Sequence, residues 1–371
     1  MTANLRRAAG SLLVVGLSGT ELINLERAWL KLVRPAGIIL FHRNITDTNQ
    51  TRLLLEDAAR LCVPHSFRCV DVEGGAVDRL RDALAPIPSA KAVMGAAQNT
   101  GKTDLIRQQG ELVARAVSAF GFNTTLAPVL DLALPASSKV LGTRASAATP
   151  QGVVDYARNF LAGLAAHGVA GCGKHFPGLG GGTLDSHRET PAIRRSTREM
   201  DREDLVPYRE VRNDLPMIMV NHAAYPDTPG GNRPASASPY WITTVLRKRI
   251  GYRGIIFSDD LEMGGILKFL PIEEAVIAAV RAGMDLIEIC HSPELILRAY
   301  ESLLTEADRS KSFRNLLFAR AAETSRKQHR ILANFAPRPL TTKPFEALRT
   351  RILRFGEMIA ATQPTQETKP R

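Results

Sequence analysis

Gly254-Ile255-Ile256-Phe257-Ser258-Asp259-Asp260-Leu261-Glu262-Met263 is the stretch that decides how this chain folds. Its apolar residues run on without polar alternation, which predicts a strand over Gly254–Ser258 buried on both faces, as in a parallel sheet covered by helices. The run stops at two adjacent carboxylates. Neighbours in an extended chain point to opposite sides, so only one of Asp259 and Asp260 is expected to face the axis of such a sheet. The other, Asp260, suits a cap on the helix that follows.

The same grammar recurs along the chain. Further strands are expected at Leu12–Leu17, Gly37–Phe41, Phe67–Asp71, Thr124–Leu130, Ala170–Lys174, Met217–Asn221 and Leu286–Cys290. Between them lie helix-like stretches at Thr20–Leu32, Thr48–Leu61, Leu105–Phe120, Pro150–His167, Arg202–Asn213, Pro239–Ile250 and Ile272–Ala282. In the last, Ala275, Val276, Ala279 and Val280 form one buried stripe. Eight strand–helix units predict an α/β fold, a single TIM (β/α)8 barrel. A doubly wound sheet would use fewer strands and a glycine-rich turn after the first, a pattern that Gly16-Leu17-Ser18-Gly19 does not fit. Polar residues gather at the C-terminal strand ends: Asp71-Val72-Glu73, Asp131, Lys174-His175, Asn221-His222, Asp259-Asp260 and His291. In a barrel those ends meet at one mouth, where chemistry is done. The expected layout is a barrel over 1–300, a C-terminal helical extension packed on it over 301–360, and a disordered tail over 361–371.

Composition narrows the class without naming a function. Apolar residues make up 44% of the 371, enough for a sizeable core. No run of about 18 apolar residues is present, so no membrane insertion is expected. Arg6 and Arg7 before Ala8–Leu17 resemble a short signal peptide, but no small-residue cleavage pattern follows, and Leu12–Leu17 is read as the first strand. Cys62, Cys69, Cys172 and Cys290 form no metal or disulfide pattern and are expected as free thiols in a reducing cytoplasm. Of the +11 net charge, about +9 lies in residues 308–371, which hold 14 Lys/Arg against 5 Asp/Glu. With no aromatic interleaving or nucleic-acid motif beside it, this reads as a solvated helix face, and no nucleic-acid partner is expected.

The strongest local signal is Gly173-Lys174-His175-Phe176-Pro177-Gly178-Leu179-Gly180-Gly181-Gly182-Thr183-Leu184-Asp185-Ser186-His187. A strand end delivers Lys174 and His175 to the mouth. From Pro177 to Gly182 every residue except Leu179 is glycine or proline, so the segment is a loop able to approach a ligand closely. It ends in Asp185-Ser186-His187, where a carboxylate two residues away can hold one imidazole nitrogen and leave the other free for proton transfer.

These motifs together resemble the β-N-acetylglucosaminidases of glycoside hydrolase family 3, of the bacterial cell-wall recycling type. The resemblance runs from about Leu12 to Pro293. It takes in the Lys174-to-His187 loop, the first Asp of Ser258-Asp259-Asp260 placed 72 residues after His187, Gly37–Asn44, Asp71–Arg79, Leu126–Asp131, Val140–Arg144 and Arg233-Pro234-Ala235-Ser236. It implies a retaining exo-β-N-acetylglucosaminidase acting on terminal β-linked GlcNAc, with GlcNAc-containing muropeptides of cytoplasmic peptidoglycan recycling as substrate. It also implies that Asp259 is the nucleophile, that His187 is the acid/base and that Asp185 orients it. Asp71, Arg79, Arg144, Lys174 and His175 match positions that grip the sugar. A histidine acid/base departs from the usual carboxylate pair, but imidazole titrates near ~6.5 and so supplies and recovers a proton at neutral pH. No cofactor is called for, no metal-ligand spacing is present, and a monomer is expected.

Two departures stand out. Where the family loop reads Pro-Gly-His-Gly-Asp-Thr, this chain has Pro177-Gly178-Leu179-Gly180-Gly181-Gly182, and Glu-Gly-Gly-Arg becomes Glu73-Gly74-Gly75-Ala76. His222 is read as a substrate-side contact or a satisfied core histidine, and His291 as structural or rim. Asp131 is expected to shape the mouth rather than touch sugar. The same imidazole dyad would tolerate incoming phosphate, so phosphorolysis stays open beside hydrolysis, as does a non-catalytic sugar-binding barrel.

Overall fold

Eight parallel strands close on themselves in chain order: β1 (Leu13–Gly16), β2 (Gly37–Leu40), β3 (Phe67–Val70), β4 (Thr124–Thr125), β5 (Ala170–Phe176), β6 (Met217–Val220), β7 (Ile255–Asp260) and β8 (Leu286–Ile289). β8 returns to β1 with Leu13 opposite Ile287 and Val15 opposite Ile289, which completes the TIM barrel. The computed structural model describes residues 2–182, 190–333 and 340–362.

Alternate strand residues explain the closure. Phe67 and Cys69, Cys172, Met217 and Met219, Ile255 and Phe257, Leu286 and Cys290 pack on one another as an apolar cluster that fills the lumen. The residues between them, such as Ile218, Ile256 and Ile287, join the larger core under the surrounding helices. Continuous apolar strands are therefore buried on both faces, as the uninterrupted runs require. Phe257 is 1% exposed, and truncating so deeply buried a ring to alanine costs about 3–5 kcal/mol.

Several boundaries differ from the sequence reading, each for a local reason. β4 is two residues long rather than seven because Pro128 has no N–H for the ladder. The chain nevertheless continues alongside β5, with a bridge between Val129 and Lys174. The helix expected from Thr20 begins at Asn24. Buried Glu26 sets that start, accepting from the Ile23 N–H at 3.1 Å and from the Ser18 N–H at 2.8 Å. Arg202–Asn213 splits into helices Thr197–Arg202 and Leu205–Glu210. The break lies at buried Asp204, which pairs with Arg195. Pro239–Ile250 winds as a π-helix over Tyr240–Arg249. Helices Ala3–Gly10 and Ala90–Thr100 were not anticipated, although Thr2 and Ser89 cap them with side-chain hydrogen bonds.

After β8 come helices Pro293–Arg309, Lys311–Leu332 and Thr342–Ala361. Lys311–Leu332 crosses the end of the barrel where the strands begin. Its Gln328 donates to the carbonyls of Ala36 and His65, and its Leu332 packs into the lumen cluster. Lys327 and Arg320 reach Asp285, which is fully buried just before β8 and also holds Arg247. Part of the basic excess at the C-terminus is thus a counter-charge for one buried carboxylate rather than a solvated face. Among the described residues no helix is long and apolar enough to cross a membrane.

Candidate active site

At the opposite end, the strand exits enclose a cavity of about 390 Å³, whose walls include Asp71, Arg79, Arg144, Lys174, His175 and Asp259. Six of the residues singled out from sequence therefore meet in one place. Asp185 and His187 lie outside the described residues.

One wall is built from β3 and β5. Beyond β3 the chain forms a hairpin, Val72–Gly74 with Val77–Asp78, which turns Glu73 back into the barrel mouth. Gly74 has φ +90°, and a Cβ there would lie 2.2 Å from the Pro88 carbonyl oxygen, so the turn requires glycine. Lys174, at the end of β5, places Nζ 2.8 Å from Asp71 Oδ1 and 2.6 Å from Glu73 Oε1. Arg144 grips Glu73 with two hydrogen bonds, of 2.9 and 2.8 Å. Burial alone would push the Glu73 carboxyl up, yet Lys174 and Arg144 together hold it down at about 2. Their own values rise above the ordinary range, because these carboxylates outweigh the burial that opposes them. Arg79 completes the wall, 3.8 Å from Asp71 Oδ2 and stacked over Phe41.

His175 is oriented from behind. Its Nδ1 lies 2.6 Å from Asp131 Oδ2, and Arg144 Nη2 is 3.2 Å from its Nε2. The other Asp131 oxygen accepts from the Leu179 N–H at 2.7 Å. Asp131 is 1% exposed and absent from the cavity wall. It ties the strand-end imidazole to the start of the glycine-rich loop, the mouth-shaping part expected of it.

Across the cavity, β7 carries both carboxylates. Burial pulls Asp259 up, but the imidazoles of His175 and His222, the Asp260 N–H 3.0 Å from its Oδ1 and Lys174 together hold it below its ordinary value. Asp259 is thus the ionised carboxylate. Asp260 is lifted to about 7 by burial and by repulsion from Glu262 and Asp259. Contrary to the strict alternation expected, both line the cavity, because the β7–β8 pairing shifts register between Leu286 and Glu288. Nor does Asp260 cap a helix: its Oδ1 accepts from the Glu262 N–H, and the next short helix starts after Met263. His222 is fully buried, with Nδ1 2.7 Å from Ser236 Oγ and Nε2 2.9 Å from the Asp260 carbonyl. It stands behind the carboxylate pair and not among the residues of the cavity wall.

Sequence reasoning gave no role to Glu73, Lys139 or Glu288, although Lys139 and Glu288 line the cavity. Glu288 left a signal: a single carboxylate in the middle of an otherwise apolar strand. Among the described residues one group could hold a metal ion, Asp260, Glu262 and His291, with ligand atoms within 4.8 Å of one another. Arg43 donates to His291 Nδ1 at 2.9 Å, which leaves the ring proton on Nε2, 3.7 Å from Asp260 Oδ2. A cation there would have to displace that proton beside a guanidinium.

An ionised aspartate in a recessed cavity, faced by fixed cations and hydrogen-bonding carboxylates, suits nucleophilic attack on a polyhydroxylated substrate. The chain is 38% identical over 288 residues to a β-hexosaminidase of Alkalilimnicola ehrlichii, covering 76% of this chain and 82% of that relative. It is 38% identical over 287 residues to one of Thiobacillus denitrificans, covering 76% and 79%. Among solved structures it superposes on a glycoside hydrolase family 3 β-N-acetylglucosaminidase from Paenibacillus with a TM-score of 0.82 and 29% identity, over 96% of this chain and 69% of that one. NagZ from Neisseria gonorrhoeae in complex with N-trifluoroacetyl-D-glucosamine superposes with a TM-score of 0.75 and 28% identity, over 93% and 97%. Residues 5–316 match the N-terminal domain of glycosyl hydrolase family 3. With that match spanning the barrel and its first outer helices, the chain belongs to glycosyl hydrolase family 3 and is a glycoside hydrolase.

Proposed function

We propose that the protein is a retaining exo-β-N-acetylglucosaminidase that removes terminal, non-reducing β-linked GlcNAc, with GlcNAc-bearing muropeptides of cytoplasmic peptidoglycan recycling as its substrate. The observation that carries this reading is Asp259: it lines a recessed cavity at the exit of β7, and its surroundings keep it ionised. The relatives named β-hexosaminidase and the neighbour that holds a GlcNAc derivative support the sugar. The four buried, unpaired cysteines fit a reducing compartment.

In this reading the Asp259 carboxylate attacks the anomeric carbon as the bond to the leaving oxygen breaks. His187, held by Asp185, gives that oxygen its proton, so the aglycone departs neutral and the sugar stays esterified to Asp259. Water then attacks the same carbon, His187 takes back a proton, and Asp259 is released. Two inversions leave the configuration retained. Asp71 accepts from sugar hydroxyls, while Lys174, Arg79 and Arg144 supply charged donors and hold Asp71 and Glu73 in place. His175 faces the same cavity, and His222 fixes the backbone that presents Asp259.

The test is turnover of an aryl β-GlcNAc glycoside, with a fluorinated GlcNAc analogue used to accumulate the covalent intermediate. Mass spectrometry of the digested enzyme should place the sugar on the peptide containing Asp259, and Asp259→Ala should abolish both label and turnover. A label on another residue, or GlcNAc-1-phosphate as the main product when phosphate is added, refutes the reading. For His187→Ala, activity should collapse on poor leaving groups and survive best on good ones; equal losses on both would remove His187 from the acid role.

A further inference from the structure

Glu288 is the only ionisable residue of β8, whose other members are Leu286, Ile287 and Ile289. It alternates with Leu286 and Cys290, both in the lumen cluster, so its side chain points into the barrel. Its Cα is paired with Val14 on β1 and Asp260 on β7. The residue is 2% exposed, yet it lines the cavity with Asp71, Met219 and Asp259. Its Oε1 is wholly buried and finds no hydrogen-bond partner among the described residues. A buried polar atom left in that state is costly and calls for an explanation. In the same cavity wall Leu126 and Met219 show that the lumen readily takes apolar side chains.

We propose that Glu288 is a specificity-determining residue of this enzyme: its carboxyl forms the floor of the cavity and hydrogen-bonds a hydroxyl of the bound sugar. The inference rests on reading the cavity as the sugar site. Burial, together with Asp260, Asp71 and Asp259, pushes the carboxyl well above its usual range, so it stands as a neutral acid. Ionised Asp259 only accepts hydrogen bonds, and Lys174, Arg79 and Arg144 only donate them. A neutral carboxyl does both, as a sugar hydroxyl does. Satisfying Oε1 is then something substrate binding accomplishes, and a sugar lacking the right hydroxyl leaves it unpaired.

The experiment compares wild type, Glu288→Gln and Glu288→Met on an aryl β-GlcNAc glycoside and on its 3-, 4- and 6-deoxy counterparts. Thermal unfolding confirms that each variant folds, and Glu288→Leu serves if the methionine variant does not. For Glu288→Met, kcat/KM on the parent glycoside should fall ~10- to 100-fold, as expected when a hydrogen bond inside a buried site is lost. One deoxy glycoside, poor for wild type, should be hydrolysed by Glu288→Met about as well as the parent, since the partner of that hydroxyl is gone. Glu288→Gln, which keeps a donor and an acceptor, should retain the wild-type discrimination. Unchanged kcat/KM in Glu288→Met, or identical deoxy penalties in all three enzymes, overturns the proposal while leaving the hydrolase intact. Failure of the sugar-site reading would look different: wild type would not release the aryl group, or Asp259→Ala would still do so.

Discussion

Lys174→Met removes the cation that bridges Asp71 and Glu73, at 2.8 and 2.6 Å, from a site where all three side chains are at most 12% exposed. Glu73 keeps Arg144, but Asp71 is left with Arg79 at 3.8 Å. Removing one partner of a buried ion pair strands a charge in low dielectric and costs about 3–5 kcal/mol. Glu73 reports on the same cluster, with Lys174 sharing the effect with Arg144. It is drawn from an ordinary 4.5 down to about 2, and a depression of that size stabilises the folded state by about 3 kcal/mol. For a depressed carboxyl this contribution is complete above pH 4.5 and is lost as pH falls through about 2. Without Lys174, Glu73 moves back toward its ordinary value and the acid-dependent part shrinks. Denaturant unfolding followed from pH 7 to pH 3 should therefore show the variant less stable by about 3–5 kcal/mol at pH 7, with the gap narrowing as acid is added. Adding Asp71→Asn should recover part of the loss, because the charge left with only Arg79 at 3.8 Å is removed. A variant within about 1 kcal/mol of wild type at pH 7, or a gap that stays constant down to pH 3, refutes the argument.

Asp131→Asn sets an amide N–H₂ against either the Leu179 N–H or the Nδ1 and backbone N–H of His175; it should cost about 1–3 kcal/mol and also lower kcat/KM, and a folded variant with wild-type kinetics would show that the anchor is not needed. Asp260 titrates at about 7 in the folded chain against an ordinary 3.8, so the unfolded chain loses this proton first and wild type loses stability as pH rises between those values. Asp260→Asn should flatten that window, a difference of up to about 4 kcal/mol; parallel stability curves from pH 4 to 7 would contradict it. Asp285→Asn leaves Arg247, Arg320 and Lys327 facing a neutral amide at the far end of the barrel, with an expected cost of about 3–5 kcal/mol. Its kcat/KM at a temperature where it stays folded should match wild type; a selective loss of activity would show that the two ends are coupled.

What the chain discloses unaided depends on the range of the interaction. The eight strands are legible because double-sided burial demands long apolar runs, and each run ends where a polar residue reaches the mouth. Asp71, Lys174, His175 and Asp259 follow from that rule alone. Arg144 and Arg79 do not sit at strand ends, and their places became visible through the resemblance to a family. Glu73 is placed at the mouth by the same rule but given no role, because its importance lies in Lys174 and Arg144, which are about 100 and about 70 residues away in the chain; pairing at that separation leaves no local pattern. Glu288 was hidden differently, since one carboxylate in an apolar run reads as noise until the strand is known to face the cavity. The lengths of β4 and of the Leu205–Glu210 helix were lost to single residues, Pro128 and Asp204, whose effect is decided by neighbours in space.

The distribution of charge along the barrel axis also favours Asp259 over its neighbour as the proposed nucleophile. Met217, Phe257, Leu286 and Cys172 fill the lumen between the two ends and keep the dielectric low beneath the cavity floor. At the far end a single buried aspartate, Asp285, is met by three cations. At the mouth the cations are fewer than the acids: Lys139, Lys174, Arg144 and Arg79 face Asp71, Glu73, Asp259, Asp260 and Glu288. Burial and mutual repulsion disfavour five negative charges there, so some carboxyls keep their protons. Asp71 and Glu73 take the direct contacts of the cations. Of the remaining three, Asp259 has the imidazoles of His175 and His222 and the Lys174 ammonium as its main neighbours, and only Asp259 falls below its ordinary value. Asp260 and Glu288 are lifted. Two adjacent carboxyls on one strand are thereby divided between an anion able to attack and a neutral group unable to, by partners that lie on other strands.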